Sequence, residues 1–139
     1  MITPGNHDTY DNFSLLGYRF PMPLYNQTKN HYYSFDVGLV HFVGIDHDFY
    51  LMADLEAQTQ MFNWVENDLA AANAPENRTL RPWIIVFTHR PVYCSYNSPE
   101  DRPSGRCYNF YTRYGIWEDL LKKYGVDLYL AGHMHAYER

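Results

Sequence analysis

No hydrophobic run in this sequence is long enough to cross a bilayer: the longest, Trp83–Phe87, is far shorter than the about 20 residues of a transmembrane helix. Basic residues are also few, with 11 Lys and Arg against 16 Asp and Glu, and their scattered placement excludes the basic stripe of a nucleic-acid-binding surface. Internal repeats and low-complexity tracts are absent. The first residues, 1–4, have neither the basic start nor the apolar stretch of a signal peptide. We therefore expect no membrane and no nucleic-acid partner.

The sequence does have enough apolar residues for a core. Of its 139 residues, 46% are hydrophobic and 18% are aromatic, a composition that excludes disorder over most of the chain. This length is typical of one domain. Strand-like and helix-like segments alternate along the chain, which predicts an α/β fold.

The first half of the chain predicts a hairpin followed by a helix. Residues 31–37 and 40–45 are rich in β-branched and aromatic side chains and flank a glycine turn. From Leu55 to Ala72 an apolar stripe recurs at helical spacing, and Asp54 precedes it as an N-cap. The members of the stripe are Met61, Phe62, Val65 and Leu69.

Two further strands and a helix are predicted in the second half. Trp83–Phe87 and Val126–Leu130 are apolar runs typical of strands that are buried on both faces. Between them, Tyr111–Tyr124 predicts a helix that ends at Gly125. Its inner side is expected to consist of Ile116, Leu120 and Leu121. Elsewhere, Met1-Ile2 predicts the end of a strand, and residues 9–30 predict loops.

Sequons and cysteines favour a secretory route. Three N-x-S/T sequons begin at Asn12, Asn26 and Asn77. The two cysteines, Cys94 and Cys107, flank a polar loop that a disulfide would close, although two free thiols are the alternative. We expect the protein to be secreted, lysosomal or vacuolar.

Chemically capable side chains follow three of the predicted strands. They are the Gly-Asn-His-Asp turn at 5–8, His89 after one apolar strand, and the His-Met-His segment at 133–135 after another. Sites in α/β sheets gather beyond the carboxyl ends of strands, and imidazole and amide donors suit Fe, Zn and Mn. Each cluster alone has an ordinary explanation: a tight turn, a core histidine or a chance spacing. Their combination predicts a metal site.

These blocks, read with their neighbours, resemble a known family. Residues 5–8 (Gly-Asn-His-Asp), 86–89 (Val-Phe-Thr-His) and 132–135 (Gly-His-Met-His) are similar to the last three of the five motif blocks of the purple acid phosphatases, a branch of the calcineurin-like metallophosphoesterases. The sequences of residues 88–95 and 131–139 resemble those of the purple acid phosphatases in particular.

The resemblance implies a binuclear centre, with Fe(III) beside Fe(II), Zn(II) or Mn(II). It implies that the divalent ion takes the amide oxygen of Asn6 and the imidazoles of His89 and His133. The ferric ion would take His135.

Two further residues receive catalytic roles from the resemblance. His7 would contact the phosphate or the leaving oxygen, and Asp8 would orient His7 by a hydrogen bond. Two close cations would clamp the phosphate and generate the attacking hydroxide.

The family's first two motifs, D-x-G and G-D-x-x-Y, have no counterpart before Gly5. Residues 1–139 are therefore expected to be the C-terminal part of a metallophosphoesterase catalytic domain: a truncated four-layer α/β/β/α β-sandwich flanked by helices, with an exposed apolar edge. The four remaining donors are all neutral, and two close cations without bridging carboxylates are unfavourable. We expect this segment alone to be inactive.

Three functions are compatible with this sequence. The first is hydrolysis of phosphate monoesters by the complete protein. The resemblance implies that the complete protein pairs as a homodimer, as members of the family often do. The second is a phosphodiesterase or nucleotide pyrophosphatase on the same scaffold, and the third is a non-catalytic fragment. The other histidines receive structural interpretations: His31 and His41 as edge or surface residues, and His47 as a residue of a solvated loop rather than a metal or proton site.

Overall fold

The computed structural model describes residues 1–9, 13–95 and 110–139. The predicted loop at 9–30 contains two short helices that start after Phe13 and Leu24, each at positive φ and without a side-chain cap, so the sequence carries no start signal for them. The elements in these ranges are α1 Ser14–Arg19, α2 Tyr25–Thr28, β1 Tyr32–Val37, β2 Val40–Ile45, α3 His47–Met52, α4 Leu55–Ala72, α5 Pro75–Leu80, β3 Trp83–Thr88, α6 Phe110–Lys123 and β4 Leu128–Ala131.

One four-stranded sheet, in the order β1-β2-β3-β4, organises the described residues. β1 and β2 form the predicted antiparallel hairpin, and Gly38 takes the positive φ of 56° that its turn requires. β2, β3 and β4 run parallel, so helices α3 to α6 lie in the crossovers between them. The predicted α/β class is confirmed, with this sheet as the one layer of the expected sandwich that the described residues form.

The hydrophobic core lies between one face of the sheet and two helices. α4 has the predicted bounds, and the Asp54 carboxylate caps it by accepting a hydrogen bond from the Ala57 amide at 2.9 Å. Phe62, predicted in its apolar stripe, is only partly buried against the core. The fully buried hydrophobic side chains of this core come from β2, β3, α4 and α6: Val43, Ile45, Ile84, Val86, Met61, Val65, Leu69 and Trp117.

The second face of the sheet is apolar but only partly covered. The rings of Phe35 and Phe42 stack on it at 5.1 Å. On β4, Leu128 and Leu130 are 46% and 48% exposed, so the prediction that this strand is buried on both faces is wrong. β3 begins with the exposed Trp83 and then alternates between buried and half-buried residues, instead of being buried throughout. The sequence predicted an exposed apolar edge, and β4, with its two exposed leucines, lies at the edge of this sheet.

The inner side of α6 differs by one residue from the prediction. Ile116 is 49% exposed, whereas Trp117 is fully buried and Leu120 lies beside it in the core. The apolar spacing of the sequence fits either register, and the contact with α3 and α4 selects the one that buries the larger ring.

Two predictions reach outside the described ranges. Cys94 is disulfide-bonded, but its predicted partner, Cys107, lies outside the described residues, as does the sequon at Asn12. Within the described part of the chain, none of the helices has both the length and the apolar character needed to cross a membrane.

His31 is buried, contrary to its expected place at an edge or surface. Its Nδ1 lies 2.8 Å from Asp46 Oδ2, and its ring stacks on Phe49 at 3.7 Å. The Asp46 carboxylate also caps α3 by accepting a hydrogen bond from the Phe49 amide at 2.9 Å. This pair fastens the start of β1 to the start of α3, which no local sequence pattern shows.

His41 also departs from its prediction, because it lies between two carboxylates with its side chain only 14% exposed. Nδ1 is 2.7 Å from Asp36 Oδ1 on β1, and Nε2 is 3.0 Å from Asp68 Oδ2 on α4. Asp36 also pairs with Arg81 at 2.9 Å. Burial alone lowers the pKa of His41, but hydrogen bonds and charge from Asp68 and Asp36 outweigh it, so the pKa is raised.

We expect the His41 cluster to stabilise the fold in acid. Because the folded pKa is raised, this stabilisation is complete below the unfolded pKa of about 6.5 and is lost as pH rises through the folded pKa. His41→Gln should therefore lower the free energy of unfolding in urea strongly at about pH 5 and much less at about pH 9. A difference between wild type and variant that stays constant over this range would contradict the assignment.

Candidate functional site

The candidate site lies where the parallel strands end. Because β2, β3 and β4 run parallel, their carboxyl ends meet at one edge of the sheet. His89 directly follows β3, and His133 follows β4 after one glycine. The N-terminal segment reaches the same edge through a hydrogen bond from Thr3 Oγ1 to the Ile45 carbonyl at 2.9 Å. It does so without forming the strand predicted at Met1-Ile2.

Three of the four predicted metal ligands come together at this edge. His89 Nε2 is 2.8 Å from Asn6 Oδ1 and 3.0 Å from His133 Nδ1. The third side of the triangle, from His133 Nδ1 to Asn6 Oδ1, is 3.1 Å. We call Asn6, His89 and His133 the donor triad. Its members come from three separate parts of the chain.

The donor triad fits a transition-metal ion. Two donors about 2.0–2.1 Å from an ion and at right angles to each other lie about 2.9 Å apart, close to all three observed distances. Asn6 Oδ1 can accept a hydrogen bond from the N–H of each ring, so an ion would have to displace these ring protons. Among the described residues no cluster of three His, Cys, Asp or Glu side chains forms a metal site, because the third donor here is an amide oxygen.

The His89 ring is enclosed by two glycines. A Cβ on Gly5 would lie 2.8 Å from His89 Nδ1, so this turn approaches the ring more closely than any side chain allows. Gly132 lies on another side, where a Cβ would be 3.6 Å from the same nitrogen. Burial lowers the pKa of His89, which favours the neutral imidazole that a metal ion binds.

The sharp turn before the last histidine is made by His133 itself. His133 has a φ of 63°, in the left-handed region that few residues other than glycine occupy. The two glycines beside the site residues, Gly5 and Gly132, do not have a positive φ. Such strain persists where surrounding structure enforces it, and it is frequent at functional sites.

The other predicted site residues are not joined to the donor triad. His135 is exposed and no described contact links it to the triad. His7 is exposed in the same turn as Asn6. The Asp8 carboxylate accepts a hydrogen bond from the Gly5 amide at 2.9 Å and so closes this turn, whereas its predicted bond to His7 stays a prediction.

Sequence reasoning missed a buried polar segment that lies near the donor triad. The segment Asp46-His47-Asp48 follows β2 as His89 follows β3, and all three of its side chains are buried. The expectation of a solvated loop around His47 is therefore wrong: burial lowers its pKa to about 3, and its Nδ1 donates to the Arg90 carbonyl at 3.3 Å. Its position after a strand that is parallel to β3 was the available signal.

This chain is similar to a known family of phosphoesterases. The calcineurin-like phosphoesterase family matches residues 1–137. Acid phosphatase type 7 from Danio rerio is 39% identical over all of this chain, as is acid phosphatase type 7 from Homo sapiens, and purple acid phosphatase 23 from Arabidopsis thaliana is 32% identical. A purple acid phosphatase structure from yellow lupin seeds superposes with a TM-score of 0.62 at 26% identity, over 95% of this chain.

The match covers only part of each relative. The chain spans 33% of the Danio rerio protein, 32% of the human protein and 29% of the Arabidopsis thaliana protein. It covers 21% of the lupin structure. The family match nevertheless extends over nearly all of the chain, and the donor triad is built from the motif blocks on which the resemblance rests. The chain therefore belongs to the calcineurin-like phosphoesterases and is a homologue of the purple acid phosphatases.

Proposed function

We propose that the protein carrying this chain is an acid phosphatase that hydrolyses phosphoric monoesters at a binuclear metal centre. The observation that carries this proposal is the donor triad, in which an amide oxygen and two imidazole nitrogens lie within 3.1 Å of one another. The names of the relatives, acid phosphatases and purple acid phosphatases, support the reaction class.

In this proposal each part of the site has a defined task. Asn6, His89 and His133 hold the divalent ion, and His135 contributes to the ferric site. Bound ions would polarise the phosphate and supply hydroxide in acid solution. His7 is exposed beside Asn6, where a protonated imidazole can donate to the leaving oxygen. Asp8 keeps the turn that carries both residues closed through the Gly5 amide.

The donor triad accounts for one ion, and the second needs more ligands. All four predicted donors of this chain are neutral, so they offer no carboxylate to offset the repulsion between two close cations. We therefore propose that residues 1–139 form part of the catalytic domain and that this segment alone does not catalyse turnover.

The test compares this segment with the protein expressed from its full natural reading frame. The full protein should hydrolyse p-nitrophenyl phosphate, lose activity after chelation and recover it when iron with zinc or manganese is restored. Elemental analysis should find two metal ions per chain. The segment of residues 1–139 should be inactive under the same conditions. A full protein that stays inactive with both metals present refutes the phosphatase, and preferential turnover of bis(p-nitrophenyl) phosphate indicates the phosphodiesterase instead.

Two alanine variants separate the ligand roles. His133→Ala should lose the divalent ion and reduce turnover by at least about 100-fold, as expected for loss of a ligand in a metal-dependent active site. His135→Ala should lose the other ion. If His135→Ala retains both ions, His135 is not a ligand, and the proposal for the triad remains.

A secretory route is part of the same proposal. Asn26, in one sequon, is exposed on α2. Asn77, in another, donates its Nδ2 hydrogen to the Ala71 carbonyl at 2.8 Å. We expect a glycan at Asn26 in protein secreted by eukaryotic cells, and an unmodified Asn26 peptide in mass spectra would count against this route. The homodimer stays a prediction.

A further inference from the structure

A buried carboxylate lies behind the donor triad. Asp48, near the start of α3, is 4% exposed. Its Oδ1 accepts hydrogen bonds from Arg90 Nε and Nη2, both at 2.7 Å. The remaining guanidinium nitrogen, Nη1, lies 3.3 Å from Nε2 of His133. Asp48 thus holds Arg90 against the side of the His133 ring that faces away from the triad.

The backbone of Arg90 is fixed as firmly as its side chain. Its carbonyl accepts a hydrogen bond from Tyr129 Oη at 2.8 Å, in addition to the one from His47. Because Arg90 directly follows His89, these bonds also limit the movement of a triad member. These bonds hold the backbone and the guanidinium of Arg90, so its positive charge stays at a fixed place beside His133.

This arrangement poses an electrostatic problem for a cation site. A guanidinium stays protonated at every relevant pH, so Arg90 is a permanent positive charge next to His133. Without a partner it would repel a metal ion bound by the triad, more strongly in this half-buried setting than in water. The Asp48 carboxylate supplies the opposite charge at hydrogen-bond distance.

The hydrogen bonds between Asp48 and Arg90 become more important when His133 binds a metal, because of the position of the His133 ring proton. Nδ1 faces Asn6 and His89, so coordination through Nδ1 leaves the ring proton on Nε2. A protonated Nε2 cannot accept from Arg90 Nη1, and that long contact has to open. The two bonds to Asp48 do not depend on His133, and they keep the guanidinium neutralised when it opens.

We propose that Asp48 is a positioning residue of the metal site, which neutralises and anchors Arg90 so that the donor triad can bind a cation. This inference rests on the proposed metal function. Asp48 touches neither substrate nor metal, and it acts through Arg90 on His133.

The experiment measures Co²⁺ affinity of the full natural protein by the visible absorption of the bound ion. Asp48→Asn should bind Co²⁺ at least about 10-fold more weakly than wild type, the effect typical of losing a residue that supports a metal ligand. The matched control is Asp46→Asn, since Asp46 is also a buried carboxylate at the start of α3 but bonds to His31 and Phe49 instead of Arg90. It should lower the unfolding temperature and change the affinity by less than about 2-fold.

A double variant distinguishes neutralisation of Arg90 from a general structural role. Asp48→Asn combined with Arg90→Gln leaves no uncompensated charge and should bind Co²⁺ within about 3-fold of wild type. Arg90→Gln alone should bind at least as tightly as wild type, and this variant tests the proposal even if Asp48→Asn does not fold.

Three results would overturn the role of Asp48. They are unchanged affinity in Asp48→Asn, a double variant as weak as Asp48→Asn, and weaker binding by Arg90→Gln. A wild-type protein that binds no Co²⁺ overturns the proposed metal function itself, which separates the two failures.

Discussion

Replacing Gly5 by alanine should abolish tight metal binding and reduce turnover of p-nitrophenyl phosphate by about 100-fold or more. The alanine Cβ would lie 2.8 Å from His89 Nδ1 and 2.9 Å from two ring carbons, distances that real Cβ contacts do not reach. The ring cannot yield without cost, because its Nε2 lies against both Asn6 Oδ1 and His133 Nδ1. Either the ring or the turn must move, and the donor triad opens in both cases.

Gly132→Ala is the matched control for this prediction. Both substitutions add one methyl group beside the same imidazole, and both restrict the unfolded chain equally. At Gly132 the new Cβ would be 3.6 Å from His89 Nδ1 and 3.7 Å from the His89 carbonyl oxygen, which is ordinary contact. Its affinity and turnover should stay within about 3-fold of wild type. Equal losses in the two variants would show that the close approach of Gly5 to His89 is not what holds the site.

The parts of the fold that were predictable depend on local patterns. The bounds of α4 follow from a cap and an apolar stripe that are both written in adjacent residues. The hairpin follows from a glycine between two β-rich segments. The approach of His89 and His133 was predictable for a different reason: parallel strands end at one edge, so residues that follow them lie close together. Asn6 follows no strand, and its segment reaches this edge through the hydrogen bond from Thr3 to Ile45.

What could not be predicted depends on partners distant in sequence. The burial of His31 is set by Asp46, which lies 15 residues away, and the contact between His47 and Arg90 spans 43 residues. No period or motif encodes such pairs, and a polar residue between two carboxylates is usually solvated. The exposure of β4 is likewise a property of the sheet edge, since its apolar run is the same whether or not a layer covers it.

Trp117→Ala should cost about 3–5 kcal/mol of folding free energy, the range for deleting a buried aromatic side chain. Trp117 is fully buried on α6, and its ring lies 5.2 Å from Tyr50 and 5.4 Å from Phe62 between centroids. These contacts fasten α6 to α3 and α4. Trp117→Phe keeps much of the packing and should cost far less, because Nε1 makes no hydrogen bond among the described residues. Chemical denaturation of the full natural protein measures both.

The same substitution should weaken the metal site of the protein that remains folded. The His47 ring stacks on Trp117 at 5.3 Å, and His47 Nδ1 donates to the carbonyl of Arg90, which adjoins His89. Leu69→Ala is the control, and it should destabilise the fold by about 2–5 kcal/mol without weakening metal binding. Leu69 lies far from the site: its neighbour Asp68 contacts His41 near the start of β2, at the opposite end of the sheet. Co²⁺ titration of both variants under conditions where each is folded should find weaker binding in Trp117→Ala alone. Equal Co²⁺ affinity in the two variants would mean that Trp117 stabilises the fold but that its contact with His47 does not help to position the donor triad.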